Sequence, residues 1–122
     1  MALPHSHPMP LISVRTSAPC SGSQALLKKL SQTLATLLGK PERYVMTLLE
    51  TEVPMTFAGD PAPACYVEVK SIGALDGDRT CQVSSAVCAL IEQHLHIPAD
   101  RIYIGFEDVP PRLWGWNGST FG

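Results

Sequence analysis

The segment LISVRTSAPCSGSQALLKKLSQTLATLLGKPERYVMTLLE, residues 11–50, contains in order the patterns of a strand, a helix and a second strand. Residues 11–17 alternate between apolar and polar side chains, as a strand with two different faces does. Leucines then recur every three or four positions over residues 26–38, which is typical of an amphipathic helix. Residues 44–50 are rich in apolar side chains again and predict the second strand. The segment is therefore predicted to form a strand–helix–strand crossover unit.

The ends of this helix are marked by residues with known capping preferences. Ser21-Gly22-Ser23 offers an N-cap, because serine side chains can accept a hydrogen bond from the first helical N–H groups. Gly39 supplies a C-cap, and Pro41 prevents the helix from resuming.

The second half of the chain repeats the same order of elements. Residues 65–72 alternate as a third strand, and Asp76 or Asp78 can cap a second helix. Pro98 follows that helix, and residues 101–107 form the fourth strand. An offset of about 57 residues aligns the two halves, although few identities match, so a duplication is suggested rather than shown. The apolar stripe of the second helix consists of Val83, Val87, Leu90, Ile91 and Leu95.

Two such units predict an α+β fold: a four-stranded mixed sheet with both helices on one face. No third layer remains in the sequence to cover the other face. Strands one and three carry apolar side chains along one or other face, so we expect oligomerisation through the open face of the sheet. These side chains are Ile12, Val14, Val67 and Val69.

Composition and charge exclude several classes of protein. The chain has 122 residues, 45% of them apolar and 16% charged, and its net charge is −2 without a run of like charges. We therefore expect one domain and no binding to nucleic acid or anionic membranes. No apolar run is long enough to span a membrane and no secretory-signal pattern is found, so we expect a cytoplasmic protein, or one exported without a leader.

Motifs for metals, nucleotides and nucleophilic catalysis are missing. The sequence lacks the phosphate-binding glycine loops and the Gly-x-Ser-x-Gly nucleophile motif. The four cysteines are too far apart for a metal knuckle and are expected to be reduced, mostly buried thiols. The pairs His5/His7 and His94/His96 are weak candidates for a metal, because the first lies in a polar leader and the second at a helix end.

The domain is expected to begin near Pro10. Residues 1–9 show no periodicity and are predicted to be a disordered extension, whereas residues 10–122 form the domain. Near the other end, Asn117-Gly118-Ser119 matches a glycosylation sequon but is interpreted as a turn.

Several short stretches, in the same order along the chain, resemble the macrophage migration inhibitory factor family of the tautomerase superfamily. They cover essentially all of residues 10–122, and the terminal stretch is the most distinctive. The stretches are Pro10-Leu11-Ile12, Gly39-Lys40-Pro41, Pro54-Met55-Thr56-Phe57-Ala58-Gly59, Ser71-Ile72-Gly73, Asp100-Arg101-Ile102-Tyr103-Ile104 and Gly115-Trp116-Asn117-Gly118-Ser119-Thr120-Phe121.

The resemblance implies a homotrimer of two-βαβ subunits that tautomerises phenylpyruvate-type 2-keto acids, and dopachrome in animal members, without a metal or organic cofactor. It implies that Pro10, once it is the first residue, is the catalytic base. The physical argument agrees, because a free α-amine titrates near pH 8, whereas a lysine side chain titrates near 10.4.

The resemblance also implies the residues that bind the substrate. Lys40 would bind the substrate carboxylate and lower the pKa of the proline amine, and Ile72 would contact the carboxylate or carbonyl through its backbone. Aromatic walls would come from Tyr103 of a neighbouring subunit and from Trp114, Trp116 and Phe121.

Three features depart from the family pattern. Eight residues precede Met9, so Pro10 inside the chain is a tertiary amide without a basic lone pair. Translation from Met9, a processed or artificial leader, and loss of the proline chemistry are the alternative explanations. Gly105 stands where animal members commonly place a hydrogen-bonding side chain, which puts dopachrome turnover in doubt. The Cys-x-x-Cys motif of animal members is missing, which argues against a thiol-oxidoreductase role.

Two other functions remain open. The first is a secreted, cytokine-like protein that binds a host receptor and has an incidental or blocked pocket. The second is a trimeric scaffold with neither role.

Overall fold

The computed structural model describes residues 9–122 as one sheet with two helices and a short C-terminal hairpin. Short 3₁₀ turns precede β2, β4 and β5. In the described part of the chain, no helix combines the length and apolar character that a membrane crossing needs. The elements are β1 (Leu11–Thr16), α1 (Ser23–Leu38), β2 (Met46–Glu50), β3 (Cys65–Ser71), α2 (Gly77–Leu95), β4 (Ile102–Asp108), β5 (Gly115–Trp116) and β6 (Ser119–Thr120).

Helix α1 forms where the leucine spacing predicts it, but its N-terminus differs from the expectation. Gly22, with φ of 71°, is the N-cap, and no side chain caps the helix. The serines on either side therefore do not supply the expected hydrogen bond. At the other end Gly39 adopts φ of 63°, and its N–H donates hydrogen bonds to the carbonyls of Ala35 and Thr36, as predicted for a glycine C-cap. The buried stripe is Leu26, Leu30, Leu34, Ala35 and Leu38.

Helix α2 is capped as the sequence predicts. The Asp76 carboxylate accepts a hydrogen bond of 2.9 Å from the Arg79 backbone N–H, which satisfies one of the free donors of the first turn. His96 is the C-cap of this helix, and its φ of 58° is a left-handed conformation that glycine usually adopts at this position. Val83, Val87, Ile91 and Leu95 form its buried stripe.

The sheet has the order β2-β1-β3-β4 and confirms the predicted fold class. The pairs β1/β2 and β3/β4 are parallel, and the central pair β1/β3 is antiparallel. Each parallel pair is one crossover unit, so the two units meet at the centre of the sheet. Within residues 9–122, β2 and β4 are the edge strands of this sheet. The outer edge of each has no neighbouring strand in the sheet.

The open face of the sheet is mostly polar, with Leu11, Met46 and Leu48 among its side chains, and the four apolar residues considered for it lie on the other face. Ile12, Val14, Val67 and Val69 all point towards the helices and are completely buried. Side chains of the opposite register face away from the helices, so the argument for assembly cannot rest on those four residues. The polar side chains on this open face include Ser13, Arg15, Tyr66, Glu68, Lys70, Tyr103 and Glu107.

The segment between β2 and β3 is held in place by Arg101. Its guanidinium donates hydrogen bonds to the backbone carbonyls of Pro63 at 2.9 Å, Asp60 at 3.0 Å, Ala62 at 2.8 Å and Phe57 at 3.5 Å. Its Cζ also lies 5.4 Å from the centre of the Phe57 ring. Only 17% of the Arg101 side chain is exposed. One cation therefore satisfies the acceptors of a long, irregular segment.

The four cysteines are free thiols that differ in burial. Cys65 is buried, Cys20 and Cys88 are partly buried against the core, and Cys81 is exposed, so the expectation of mostly buried thiols fails for Cys81. Burial, together with the nearby Cys88 thiol, raises the pKa of Cys65 to about 12.

We expect iodoacetamide at pH 8 to alkylate Cys81 and to leave Cys65 unmodified. The thiolate is the reactive form, and the raised pKa of Cys65 makes its thiolate scarce at this pH. Peptide mass spectrometry of the labelled protein measures both rates, and the chain unfolded in urea is the control in which both thiols react. Equal rates in the folded protein would contradict the expectation.

Candidate functional site

The first described residues lie in a buried position at the start of β1. Both Met9 and Pro10 are buried. The Pro10 carbonyl accepts a hydrogen bond of 3.1 Å from the Met46 N–H, which extends the β1/β2 ladder by one step. This bond fixes Pro10 beside the N-terminal end of β2. The earlier residues of the predicted extension, His5 and His7 included, lie outside the described residues.

Two turns bring the ends of β3 and β4 together next to Met9. The Val109 N–H donates to the Ser71 carbonyl at 2.8 Å, and the Gly73 N–H donates to the Asp108 carboxylate at 2.9 Å. Ile72 and Val109 are thereby held side by side. Together with Met9 and Phe121 they form a second buried cluster, separate from the main core, against which Leu11 and Trp114 pack.

Lys40 joins this cluster through its ammonium group. It follows the C-cap of α1, and its Nζ donates a hydrogen bond of 2.9 Å to the Ile72 carbonyl. Burial lowers the pKa of Lys40 below its usual value, the nearby Arg79 guanidinium lowers it further, and the Asp108 carboxylate opposes the shift. At neutral pH a partly desolvated cation beside an apolar cluster can bind a carboxylate.

The C-terminal aromatic residues form one wall of the site. Asn117 and Gly118 have φ of 52° and 80° and connect β5 to β6, which confirms the predicted turn. The hairpin lets the Phe121 N–H donate to the Trp114 carbonyl at 3.2 Å. Trp116 is 44% exposed and stacks on Phe121 with ring centres 6.3 Å apart.

The structure brings five of the predicted residues together, places a sixth at their edge, and leaves one elsewhere. Trp116 lines the edge of the cluster, and Tyr103 lies apart from it. The five residues are Ile72, Trp114 and Phe121 of the buried cluster, Lys40, which is hydrogen-bonded to Ile72, and Pro10, which follows Met9 of the cluster. Their roles towards a substrate stay predictions.

Tyr103 lies at the opposite end of the sheet. It pairs with Tyr66 in β3, four residues from Lys70, which pairs with Leu11 beside Pro10. At about 3.3 Å per residue, Tyr103 is roughly 13 Å from that end along the strands. Its ring packs on Phe57, with ring centres 4.8 Å apart, and 68% of its surface is exposed. Within one subunit, Tyr103 therefore belongs to a different surface.

Gly105 lies on the open face of the sheet, opposite Glu68. A Cβ at this position would stand 3.6 Å from the Tyr66 hydroxyl, so a small side chain would fit without a clash. A shallow hollow of about 210 Å³ lies there, bordered by Tyr66, Lys70 and Glu107. The glycine thus leaves space on the same face that carries Tyr103.

Sequence reasoning missed three residues of the site. Met9 was assigned to the extension, and Val109 and Tyr44 had no assigned role. The Tyr44 ring meets Trp116 edge to face, with centres 5.3 Å apart. Tyr44 comes three residues after Pro41, and Val109 lies between the end of β4 and Pro110-Pro111, so both stand beside prolines that interrupt a periodic pattern. No periodic pattern was available to identify them.

Comparisons with known proteins show similarity to one family along the described residues. The sequence pattern of the macrophage migration inhibitory factor (MIF) family matches residues 9–122. The macrophage migration inhibitory factor of Rattus norvegicus is 37% identical over 114 residues, which cover 93% of this chain and 99% of the rat protein.

Solved structures show the same similarity. The crystal structure of a macrophage migration inhibitory factor homologue from Prochlorococcus marinus has 67% sequence identity and a TM-score of 0.89, covering 92% of this chain and 99% of the homologue. The macrophage migration inhibitory factor of Toxoplasma gondii has 32% identity and a TM-score of 0.86, covering 91% and 99%.

Proposed function

Because this chain belongs to the macrophage migration inhibitory factor family, we propose that it is a keto–enol tautomerase of phenylpyruvate-type 2-keto acids. One observation carries the proposal: the Lys40 ammonium donates a hydrogen bond of 2.9 Å to the carbonyl of Ile72, a member of the buried cluster. Met9 belongs to the same cluster, and Pro10 is the next residue in the chain. A cation, an apolar wall and a proline nitrogen lie within one small region. The test is the rate at which a chain that begins at Pro10 interconverts the keto and enol forms of phenylpyruvate.

The proposed reaction moves one proton off carbon and one onto oxygen. The Pro10 amine takes a proton from C3 of the keto acid, and the C–H electron pair forms the C2=C3 double bond. The C=O π electron pair moves onto the oxygen, which takes the proton back from the Pro10 ammonium. The enol hydroxyl is thereby formed and the amine is free again. Lys40 binds the carboxylate and, as a nearby cation, favours the neutral form of the amine. The mechanism uses no cofactor.

We propose that the active form is a homotrimer. The open face of the sheet is uncovered, β2 and β4 have unpaired outer sides, and Tyr103 is exposed on that face. A neighbouring subunit would bring its own Tyr103 to the aromatic wall that one chain cannot complete. Sedimentation analysis tests the assembly.

Replacing Lys40 with methionine is expected to raise the KM for phenylpyruvate by about tenfold to a hundredfold. This factor corresponds to the free energy that one hydrogen bond to a charged group contributes. In a chain that begins at Pro10 and keeps Lys40, KM is expected to rise with pH, because the affinity for an anion is lost as Lys40 loses its proton. Since the pKa of Lys40 is lowered, this loss begins below the pH expected for an ordinary lysine. Steady-state kinetics across the alkaline range measure it.

Two variants serve as controls for this prediction. Lys40→Arg keeps its charge throughout the range, so its KM is expected to stay flat with pH. Lys29→Met removes an exposed lysine of α1 and is expected to leave KM unchanged. A KM that stays as flat in the chain that keeps Lys40 as in Lys40→Arg would argue against carboxylate binding by Lys40.

The second candidate function is a cytokine-like interaction with a host receptor. It is favoured by the similarity to proteins named macrophage migration inhibitory factor, such as the rat protein. It requires that the chain reach the cell exterior. Saturable binding to cells that Pro10→Gly leaves unchanged would support this function.

A further inference from the structure

Met9 is an enclosed side chain at the proposed site. Only 3% of its surface is exposed, although it comes directly before the first strand. Its neighbours in the buried cluster are Ile72, Val109 and Phe121, and Trp114 packs against the same cluster. Residues from three separate parts of the chain thus close around one methionine side chain.

Three of these neighbours are also residues to which the family resemblance assigns contacts with the substrate. Ile72, Trp114 and Phe121 would hold the aryl group and the carbonyl, and Lys40 already bonds the Ile72 carbonyl. A ligand and the Met9 side chain would have to fill the same apolar space. Methionine suits such a space, because its unbranched thioether adapts to irregular gaps.

We infer that the Met9 side chain is an internal plug, which occupies the aryl-binding part of the pocket and competes with the substrate for it. The inference rests on the proposed function of this cluster as a substrate pocket. It differs from the loss of basicity at Pro10, because the amide at Pro10 stops proton transfer whereas the plug stops binding. A chain that contains Met9 is therefore blocked twice, by two separable causes.

The first experiment measures displacement of Met9 in the full chain. Dilute hydrogen peroxide oxidises accessible methionines, and peptide mass spectrometry reads the sulfoxide at each position. The added ligand is 3-phenylpropionate, which has the phenyl ring and carboxylate of the proposed substrate but no keto group to consume peroxide. We expect slow oxidation of Met9 without ligand and severalfold faster oxidation with it. Met46, which is 61% exposed, is the internal control and is expected not to change.

The second experiment measures the affinity for 3-phenylpropionate by calorimetry. We expect the full chain to bind about tenfold or more weakly than Met9→Ala, because burial of a methionine side chain has to be reversed in the former. Met55→Ala, in the segment before β3, is the matched control and is expected to bind like the full chain. Both variants keep Pro10 as an amide, so the comparison isolates the side chain.

The outcomes separate this inference from the proposed function. If Met9→Ala binds 3-phenylpropionate no better than the full chain does, while a chain that begins at Pro10 binds it well, the inference that Met9 blocks the pocket is wrong. Oxidation of Met9 that does not change at ligand concentrations saturating the full chain would also overturn it. If Met9→Ala binds and Met9 is displaced, but a chain beginning at Pro10 has no tautomerase activity, the plug stands and the proposed enzyme activity fails.

Discussion

A chain whose first residue is Pro10 is expected to interconvert keto and enol phenylpyruvate about a hundredfold or more faster than the full chain Met1–Gly122. A positioned general base contributes about 10²- to 10⁴-fold to such reactions. In the full chain the Pro10 nitrogen is a tertiary amide, because it is bonded to the Met9 carbonyl carbon. The ultraviolet absorbance of the enol measures both rates directly.

The full-length variant Met9→Ala gives this prediction its control. It empties the apolar pocket but keeps Pro10 as an amide, so it is expected to bind ligand and still to be slow. In the short chain the rate is expected to rise with pH until the amine is unprotonated. An unperturbed α-amine titrates at about 7.7–8.0, and a cation as close as the proposed Lys40 ammonium is expected to lower the pKa of the Pro10 amine. Equal rates for the short and the full chain would mean that another group is the base.

Arg101→Ala is expected to lower the free energy of unfolding by about 2–4 kcal/mol. The substitution removes hydrogen bonds to four backbone carbonyls, those of Phe57, Asp60, Ala62 and Pro63, and the contact with the Phe57 ring. Water can reach part of this exposed segment, so the loss is smaller than the sum of four charged hydrogen bonds. Urea unfolding at one fixed protein concentration measures it.

Two further variants test whether the geometry of Arg101 is the cause. Arg101→Lys keeps the charge but has a single side-chain nitrogen, which cannot reach the four carbonyls together. Its free energy of unfolding is therefore expected to be lowered nearly as much as that of Arg101→Ala. Arg43→Ala changes an exposed arginine in the corresponding turn of the first half, where its guanidinium lies over Tyr44, and is expected to cost under about 1 kcal/mol. Similar losses for Arg43→Ala and Arg101→Ala would contradict the role of the carbonyl contacts.

The elements of this fold could be predicted because each has a clear local pattern. The leucine spacing of α1, the aspartate before α2 and the alternation in β1 and β3 are all read from neighbouring residues. The observed strands begin or end within about two residues of the expected limits. The two prolines, Pro41 and Pro98, each precede a short turn and a strand, as the offset of 57 residues indicated.

The face of the sheet that packs on the helices was harder to predict. A sequence shows which residues of a strand share a face, but it does not show which face meets the helices. Ile12 and Val14 were therefore assigned to one or other face, and oligomerisation through the open face was expected. The register places Arg15 and Glu50 on that face instead, where they form an ion pair of 3.3 Å.

The residues of the site came from the family resemblance rather than from periodicity. Lys40, Ile72 and Phe121 are far apart in the chain, and nothing in their local patterns predicts that they meet. The contact depends on the turns after β3 and β4, which backbone hydrogen bonds such as Val109 to Ser71 hold in place. Met9 was missed for a related reason, since a single buried side chain before a strand has no period.

The unpaired outer sides of β2 and β4 give the separate subunit a liability as well as a means of assembly. A free strand edge presents rows of N–H and C=O groups that any extended chain can pair with. A dilute or newly made subunit therefore exposes a template for mispairing, which neighbouring subunits would cover in the proposed homotrimer. Aggregation and correct association would compete for the same two edges, so the yield of native protein should depend on how quickly the edges are occupied.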